Sequence, residues 1–357
     1  MKKKSFLKQF LTGIARIQIK HPVLILFLVL GLTALFAIPA QDVRTVASLE
    51  QMMPADTPAI ESFNHLRDQE LGRDAIAILI RIDTQTTHTR TDIQTQDVQE
   101  YIVRIQEQLL AETSIHQVIT PEQNPLLIHP DRTEKLVIAY SDAAGDDERM
   151  KRLAERIEEY TQQGVPAGTR VYLTGTPTIQ QKLGEYIQSD QQRTRIASTL
   201  FVLLITAIIF GMSSSILPII TVTLSVSWLY GTMGIADLPI STLAGGVAAM
   251  VIGIGIDFAI HLMNKYEFEK LQGKNQEEAI TEAITHTGTA LSVTALTTGA
   301  AFLAFIAGVM PEMGRFGILM AMGIVYALIL TVFALPALLI IKEHIEAYAK
   351  KIQEKQE

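Results

Sequence analysis

Cysteine is absent from the 357 residues. Charge is scarce as well: Asp, Glu, Lys and Arg make up 19% of the chain, where an average soluble domain holds about 25%. Without cysteine, a disulfide scaffold, thiolate catalysis and cysteine-ligated zinc are all excluded. The shortage of charge is uneven. Residues 42–195 hold 25 acidic and 16 basic side chains, a net charge of −9, while everything else carries 26 charges and a net of +2. Two materials are therefore joined in one chain, a polar domain and a long apolar part, which excludes a single soluble globule and a disordered protein. No basic patch points to nucleic acid.

Charge-free runs locate membrane spans. They cover Pro22–Gln41, Ile196–Ala236, Leu238–Ile256, Ala283–Pro311 and Phe316–Ile341. About 20 apolar residues cross a bilayer as a helix. The run Ile196–Ala236 is twice as long as one crossing needs. It must therefore be two helices, with a break at Gly211–Ser215 and Pro218. Six spans are expected, near 22–40, 196–212, 217–235, 239–263, 288–309 and 316–341. The first is too long for the apolar core of a cleaved leader, and it begins only at Pro22, after an extended basic segment. It reads as a permanent anchor.

Lys and Arg sort by side. Lys2, Lys3, Lys4, Lys8, Arg16 and Lys20 precede the first span, Lys265, Lys270 and Lys274 lie in loop 264–287, and Lys342, Lys350, Lys351 and Lys355 lie in the tail. With six spans these share one side, and the opposite short loops hold only Arg315. The expected plan is a cytoplasmic N-terminus (1–21), a first transmembrane helix (22–41), an extracytoplasmic domain (42–195), a five-helix bundle (196–341) and a cytoplasmic tail (342–357), in the plasma or inner membrane. Within the bundle, 264–287 reads as an amphipathic helix on the cytoplasmic surface.

In the outside domain, 75–83, 115–120, 136–141 and 170–175 read as strands, and 96–112 and 146–163 as helices. The order β-α-β-β-α-β is that of a ferredoxin-like α+β domain. Residues 178–195 read as a helix running into the second span. His65, His88, His116 and His129 lack metal-ligand spacing, and no nucleophile motif is present, so neither an enzyme nor a cofactor or metal site is expected.

The informative residue is Asp257, in Gly253-Ile254-Gly255-Ile256-Asp257-Phe258-Ala259-Ile260-His261. An acid in a span is rare unless it faces protein or water, and burial would bring its pKa toward neutrality. Counted from Pro239 it lies about 27 Å along the helix, between the midplane and the cytoplasmic third. Proton exchange is one reading and a hydrated terminal carboxylate the other. His261, one turn on, is either a proton relay or an interfacial histidine. Gly253 and Gly255 suit close helix approach. Ser292, Thr294, Thr297 and Thr298 either bond Asp257 across helices or bond back to their own helix carbonyls, and Tyr326 is equally open.

These residues resemble the half-unit of the resistance-nodulation-division superfamily, in its MMPL or hydrophobe/amphiphile-efflux branch. The resemblance rests on the fourth-span motif with its Gly-Ile-Asp-Phe, on Leu296–Phe305, on Pro311–Gly317 with Gly323 and Leu335–Leu339, and on Met53–Pro58 and Leu173–Pro177. Spans two to six also resemble the sterol-sensing module. The resemblance implies a transporter of lipids or other amphiphiles driven by the proton-motive force, with Asp257 carrying the proton. The family usually has tyrosine where this chain has Phe258, and two halves per chain where this one has a single half. A homodimer, or a separately encoded second half, is therefore expected. Two other functions are compatible with the layout: a Sec-type export accessory and a lipid-sensing module without net transport.

Overall fold

The computed structural model describes residues 2–45, 57–58, 74–83, 92–141, 147–241 and 243–356. The chain divides into two compact units, one of residues 46–186 and one of residues 1–45 with 187–357.

In the first unit, β1 (Asp74–Ile82), α3 (Gln96–Leu110), β2 (Ile115–Ile119), β3 (Glu134–Ser141), α4 (Asp147–Gln162) and β4 (Thr169–Gly175) follow in order. The helix numbers here count α1 and α2 of the other unit, described below. The strands form one sheet in the order β2-β3-β1-β4, and every neighbouring pair is antiparallel. β1 is central, and its Ile76, Ile78, Ile80 and Ile82 alternate onto the face that packs on Val98, Ile102, Ile105 and Leu109 of α3 and on Leu153 and Ile157 of α4. Period two in the strand and 3.6 in the helices place these apolar stripes face to face. Gly175, at φ +124°, ends β4 where an added Cβ would collide with the Ala75 carbonyl oxygen. The segment Met53–Asp56, His65 and His88 lie outside the described residues.

The other unit is helical. α1 (Lys2–Lys20) precedes α2 (Pro22–Ala37), and the break falls at His21 with Pro22 as the first helical residue of α2, where its missing N–H costs nothing. Then come α5 (Thr176–Phe210, which begins in the other unit), α6 (Met212–Ile235), α7 (Val247–Leu271), α8 (Gln276–Glu282), α9 (Gly288–Leu303) and α10 (Pro311–Gln356). Among the described residues, six stretches are long and apolar enough to cross a membrane: Pro22–Asp42, Thr178–Phe210, Ser214–Ile235, Ala244–Leu271, Gln276–Ala307 and Pro311–Glu354. The chain is thus a multi-pass membrane protein. The third, fourth and sixth stretches are more than half buried within the chain, and the others less than a fifth, so α6, α7 and α10 form the centre.

Four details differ from the sequence expectation. The break between the second and third spans is Gly211 alone, at φ +76°, a left-handed conformation that glycine adopts freely, and Pro218 sits inside α6. The fourth helix starts at Val247 rather than near 239. Ile240 is instead held in a single parallel bridge to Thr45, its N–H donating to the Arg44 carbonyl at 2.7 Å. Segment 264–287 is divided: α7 runs on to Leu271, Gly273 turns the chain at φ +84°, and α8 opens with a capping box between Asn275 and Glu278. Tyr266, Ala279, Ile280 and Ile284 of this segment are buried in the bundle. The basic N-terminus, finally, is the helix α1, whose Leu11, Ile14 and Ala15 join that same cluster. Its buried Gln18 donates to the Val332 carbonyl at 2.7 Å.

Candidate functional site

The phase of α7 splits the fourth-span motif between two faces. Gly255, Ile256, Phe258 and Ala259 point inward and are buried. Gly255 packs so closely that a Cβ there would meet Ala327 at 3.1 Å and Val222 at 3.2 Å. Phe258 is 3% exposed and packs with Leu291, Ala295, Ile324 and Ala327. Gly253, Asp257, His261 and Asn264 are exposed. Met250 and Phe268 extend this line in both directions, with steps of three and four residues that keep a single helical face.

Asp257 is the eleventh of the 25 residues of α7, about 15 Å from the helix start at 1.5 Å per residue. It therefore lies near the middle of the fourth candidate span. The helix begins at Val247, eight positions after Pro239, which shortens the count along it from about 27 to about 15 Å.

α9 offers a second exposed face, with Val293, Thr294, Leu296 and Thr297. Its hydroxyls bond back along their own helix: Ser292 to the Gly288 carbonyl at 2.7 Å, Thr294 to Ala290 at 3.2 Å, and Thr297 to Val293 at 3.0 Å and Thr294 at 2.9 Å. Thr298 is half-buried. Tyr326 turns to the third span, where its hydroxyl pairs with Thr232 at 2.8 Å and its ring meets Trp228 edge-on. The structure thus brings Gly253, Asp257 and His261 onto one face. It assigns Gly255 and Phe258 to packing and links Tyr326 to Thr232, a partner that sequence spacing offers no means of finding.

The exposed carboxylate has a physical consequence. A charged side chain at the bilayer centre costs about 2.5–3.5 kcal/mol on insertion scales, and hydrocarbon cannot hydrogen-bond it. Gly253, one turn away, is exposed, with open space where a Cβ would lie. The face therefore carries Asp257, His261 and Asn264 between Met250 and Phe268.

Comparison with known proteins agrees with this architecture. The MMPL family model matches residues 39–354. Protein MJ1562 of Methanocaldococcus jannaschii, named as a membrane protein, is 28% identical over 97% of this chain and 98% of its own length. The sulfolipid-1 exporter MmpL8 of Mycobacterium tuberculosis is 21% identical over 92% of this chain, which spans only 31% of that longer protein. The cryo-EM structure of the hedgehog release protein Disp from the water bear Hypsibius dujardini superposes with a TM-score of 0.65 at 13% identity, over 95% of this chain and 49% of Disp. The likeness to Disp is one of fold. By its membrane helices, its sheet, its Gly-Ile-Asp-Phe motif and the extent of the match, the chain belongs to the MMPL family, as a half-unit of the resistance-nodulation-division type.

Proposed function

We propose that the chain exports lipids or other amphiphiles, driven by the proton-motive force, as a dimer of half-units. One observation carries this reading: Asp257 is exposed near the middle of the stretch Ala244–Leu271, one turn from the open space at Gly253, on an outer face of the bundle. A second copy related by a two-fold axis would set the same face against itself. The two Asp257 carboxylates would then face each other across the interface, an arrangement suited to handing on a proton. His261, one turn along the same face, would pass that proton toward the cytoplasmic end. The export of a lipid by MmpL8, stated by that protein's name, supports the substrate class.

The topology that goes with this reading is one span, the outside domain, then five spans, with both termini cytoplasmic. It is supported by the one-sided distribution of Lys and Arg. The strand order β2-β3-β1-β4 supports a ferredoxin-like outside domain.

The test is transport by purified protein in liposomes, following a labelled lipid under an imposed pH gradient. Wild type moves lipid in proportion to the gradient. Asp257→Asn folds with the wild-type unfolding temperature and loses the gradient dependence. A folded Asp257→Asn protein with the wild-type response would overturn proton coupling through this residue. Native mass spectrometry showing a transport-competent monomer would overturn the dimer, and a second, different chain would replace the homodimer by a heterodimer.

A further inference from the structure

A cavity of about 390 Å³ lies at the other end of the membrane unit from α8, away from the Asp257 face. It is bounded by the end of α2 with its following turn, by residues 188–195 of α5 and by the end of α6. Its size falls in the range of small-ligand sites, about 300–1,000 Å³.

Its α5 wall carries Gln188, Gln191, Gln192 and Arg195. These occupy positions i, i+3, i+4 and i+7 of one helix, hence a single face. Ser227 and Tyr230 of α6 add two hydroxyls opposite. Ala37, Ala40 and Val43, with Ile240, supply an apolar side.

Gln188, Gln192 and Arg195 are exposed along the mouth of the cavity, and Gln191 is half-buried behind them. The Gln191 amide nitrogen is buried without a hydrogen bond. It sits over Gly245, where an added Cβ would lie 3.7 Å away. A buried donor left without an acceptor is costly, and a ligand oxygen would relieve it. Among the described residues Arg195 forms no ion pair with a carboxylate. A guanidinium at the edge of a span, with three amides on its own face, offers several donors but no carboxylate.

The frame that holds the cavity open is stiff. An added Cβ would lie 2.5 Å from Phe36 at Gly231 and would collide with the Pro39 carbonyl oxygen at Gly234. α2 and α6 therefore meet backbone to backbone, and the cavity cannot close by sliding them together.

The location selects among anions. Arg195 is the last charge before the uncharged run 196–236. Beyond it α5 exposes Leu200, Leu204 and Ile208, which hydrocarbon covers. We infer that the cavity binds the anionic headgroup of a membrane amphiphile from the leaflet at this end. Arg195 neutralises the headgroup charge, and Gln191 with its neighbouring amides donates to its oxygens. This site is separate from the Asp257 face, and its occupation does not depend on proton coupling.

The experiment uses the full chain in mild detergent and counts bound lipid by native mass spectrometry. Dioleoylphosphatidylglycerol competes with dioleoylphosphatidylcholine, and free glycerol phosphate is added in a parallel arm. Wild type retains the anionic lipid in at least tenfold preference. Arg195→Gln removes most of that preference. Gln191→Glu, which sets a carboxylate beside Arg195, removes it too and serves where Arg195→Gln does not fold. Unfolding temperatures report whether each variant is intact. Equal retention of both lipids by wild type, or an unchanged preference in folded variants at both positions, overturns the inference. Displacement of the lipid by equimolar glycerol phosphate overturns the lipid assignment.

Discussion

Two glycines two positions apart on α7 make opposite predictions. At Gly255 a Cβ would lie 3.1 Å from Ala327 and 3.2 Å from Val222, while at Gly253 it would meet nothing within 4 Å. Leucine at Gly255 must force α7 away from α6 and α10, and overpacking of this kind costs about 1–3 kcal/mol. Leucine at Gly253 has free space in the single chain and gains about 0.5–1 kcal/mol of helix propensity over glycine. The protomer should therefore unfold at a lower temperature for Gly255→Leu and at an equal or higher one for Gly253→Leu. Association behaves in the reverse way. In a two-fold dimer the outer face occurs twice, so Gly253→Leu inserts two side chains into one interface. Two overpacking terms total about 2–6 kcal/mol, a weakening of roughly thirtyfold to twenty-thousandfold. Thermal unfolding in detergent measures the first effect. Energy transfer between labelled copies, diluted stepwise into lipid, measures the second. Wild-type association by folded Gly253→Leu would refute the assignment of this face to the dimer. Wild-type stability of Gly255→Leu would refute the packing.

Gly234→Ala should destabilise the membrane unit by about 1–3 kcal/mol or more. Its Cβ would collide with the Pro39 carbonyl oxygen, a backbone atom that no rotamer change can move, and a lower unfolding temperature in nanodiscs checks it. Tyr101 is 3% exposed and donates its hydroxyl to the Thr161 carbonyl at 2.6 Å. Burial pushes its phenol up to about 12, partly opposed by Arg104. A pKa raised in the folded state gives stability that is present below about pH 10 and lost as pH climbs to about 12, at most about 2–3 kcal/mol. Tyr101→Phe should give up about 1 kcal/mol at neutral pH and show less alkaline loss. Near-UV circular dichroism during an alkaline titration decides the point, and loss of signal by Tyr101→Phe at the wild-type pH would contradict it.

Much of this architecture is legible in the sequence because its driving forces are periodic. Charge-free runs long enough to span a bilayer mark the membrane helices. Ile76, Ile78, Ile80 and Ile82 alternate as a strand must, and Val98, Ile102, Ile105 and Leu109 recur as a helix must. The start of the fourth helix is not legible, for a physical reason. The stretch around Ile240 is as apolar as a span, and it is the pairing of its backbone with Arg44 and Thr45, from a distant part of the chain, that holds it out of the helix. Hydropathy does not register such a bond. The N-terminal helix escapes for a related reason, since its lysines mark a side of the membrane while Leu11, Ile14, Ala15 and Gln18 dock on the bundle. At the candidate site the residues of the motif can be read from the sequence, but their division between two faces cannot. That division depends on which side of α7 meets α6 and α10.

The same division bears on Phe258, where the family usually carries tyrosine. Along the sequence, the change removes a hydroxyl next to the motif's acid. In the fold, Phe258 turns away from the exposed Asp257 line into a pocket of Leu291, Ala295, Ile324 and Ala327. Adjacent residues on a helix point about 100° apart, so sequence proximity to Asp257 does not make Phe258 a partner within the same chain. Phe258→Tyr would carry a hydroxyl into an apolar cluster, at a cost of about 1–3 kcal/mol if it finds no acceptor. The expected outcome is a lower unfolding temperature with no gain in gradient-driven lipid transport. A Phe258→Tyr protein that is equally stable and transports faster would show that the hydroxyl reaches a polar partner, and that this face of α7 also takes part in moving the proton.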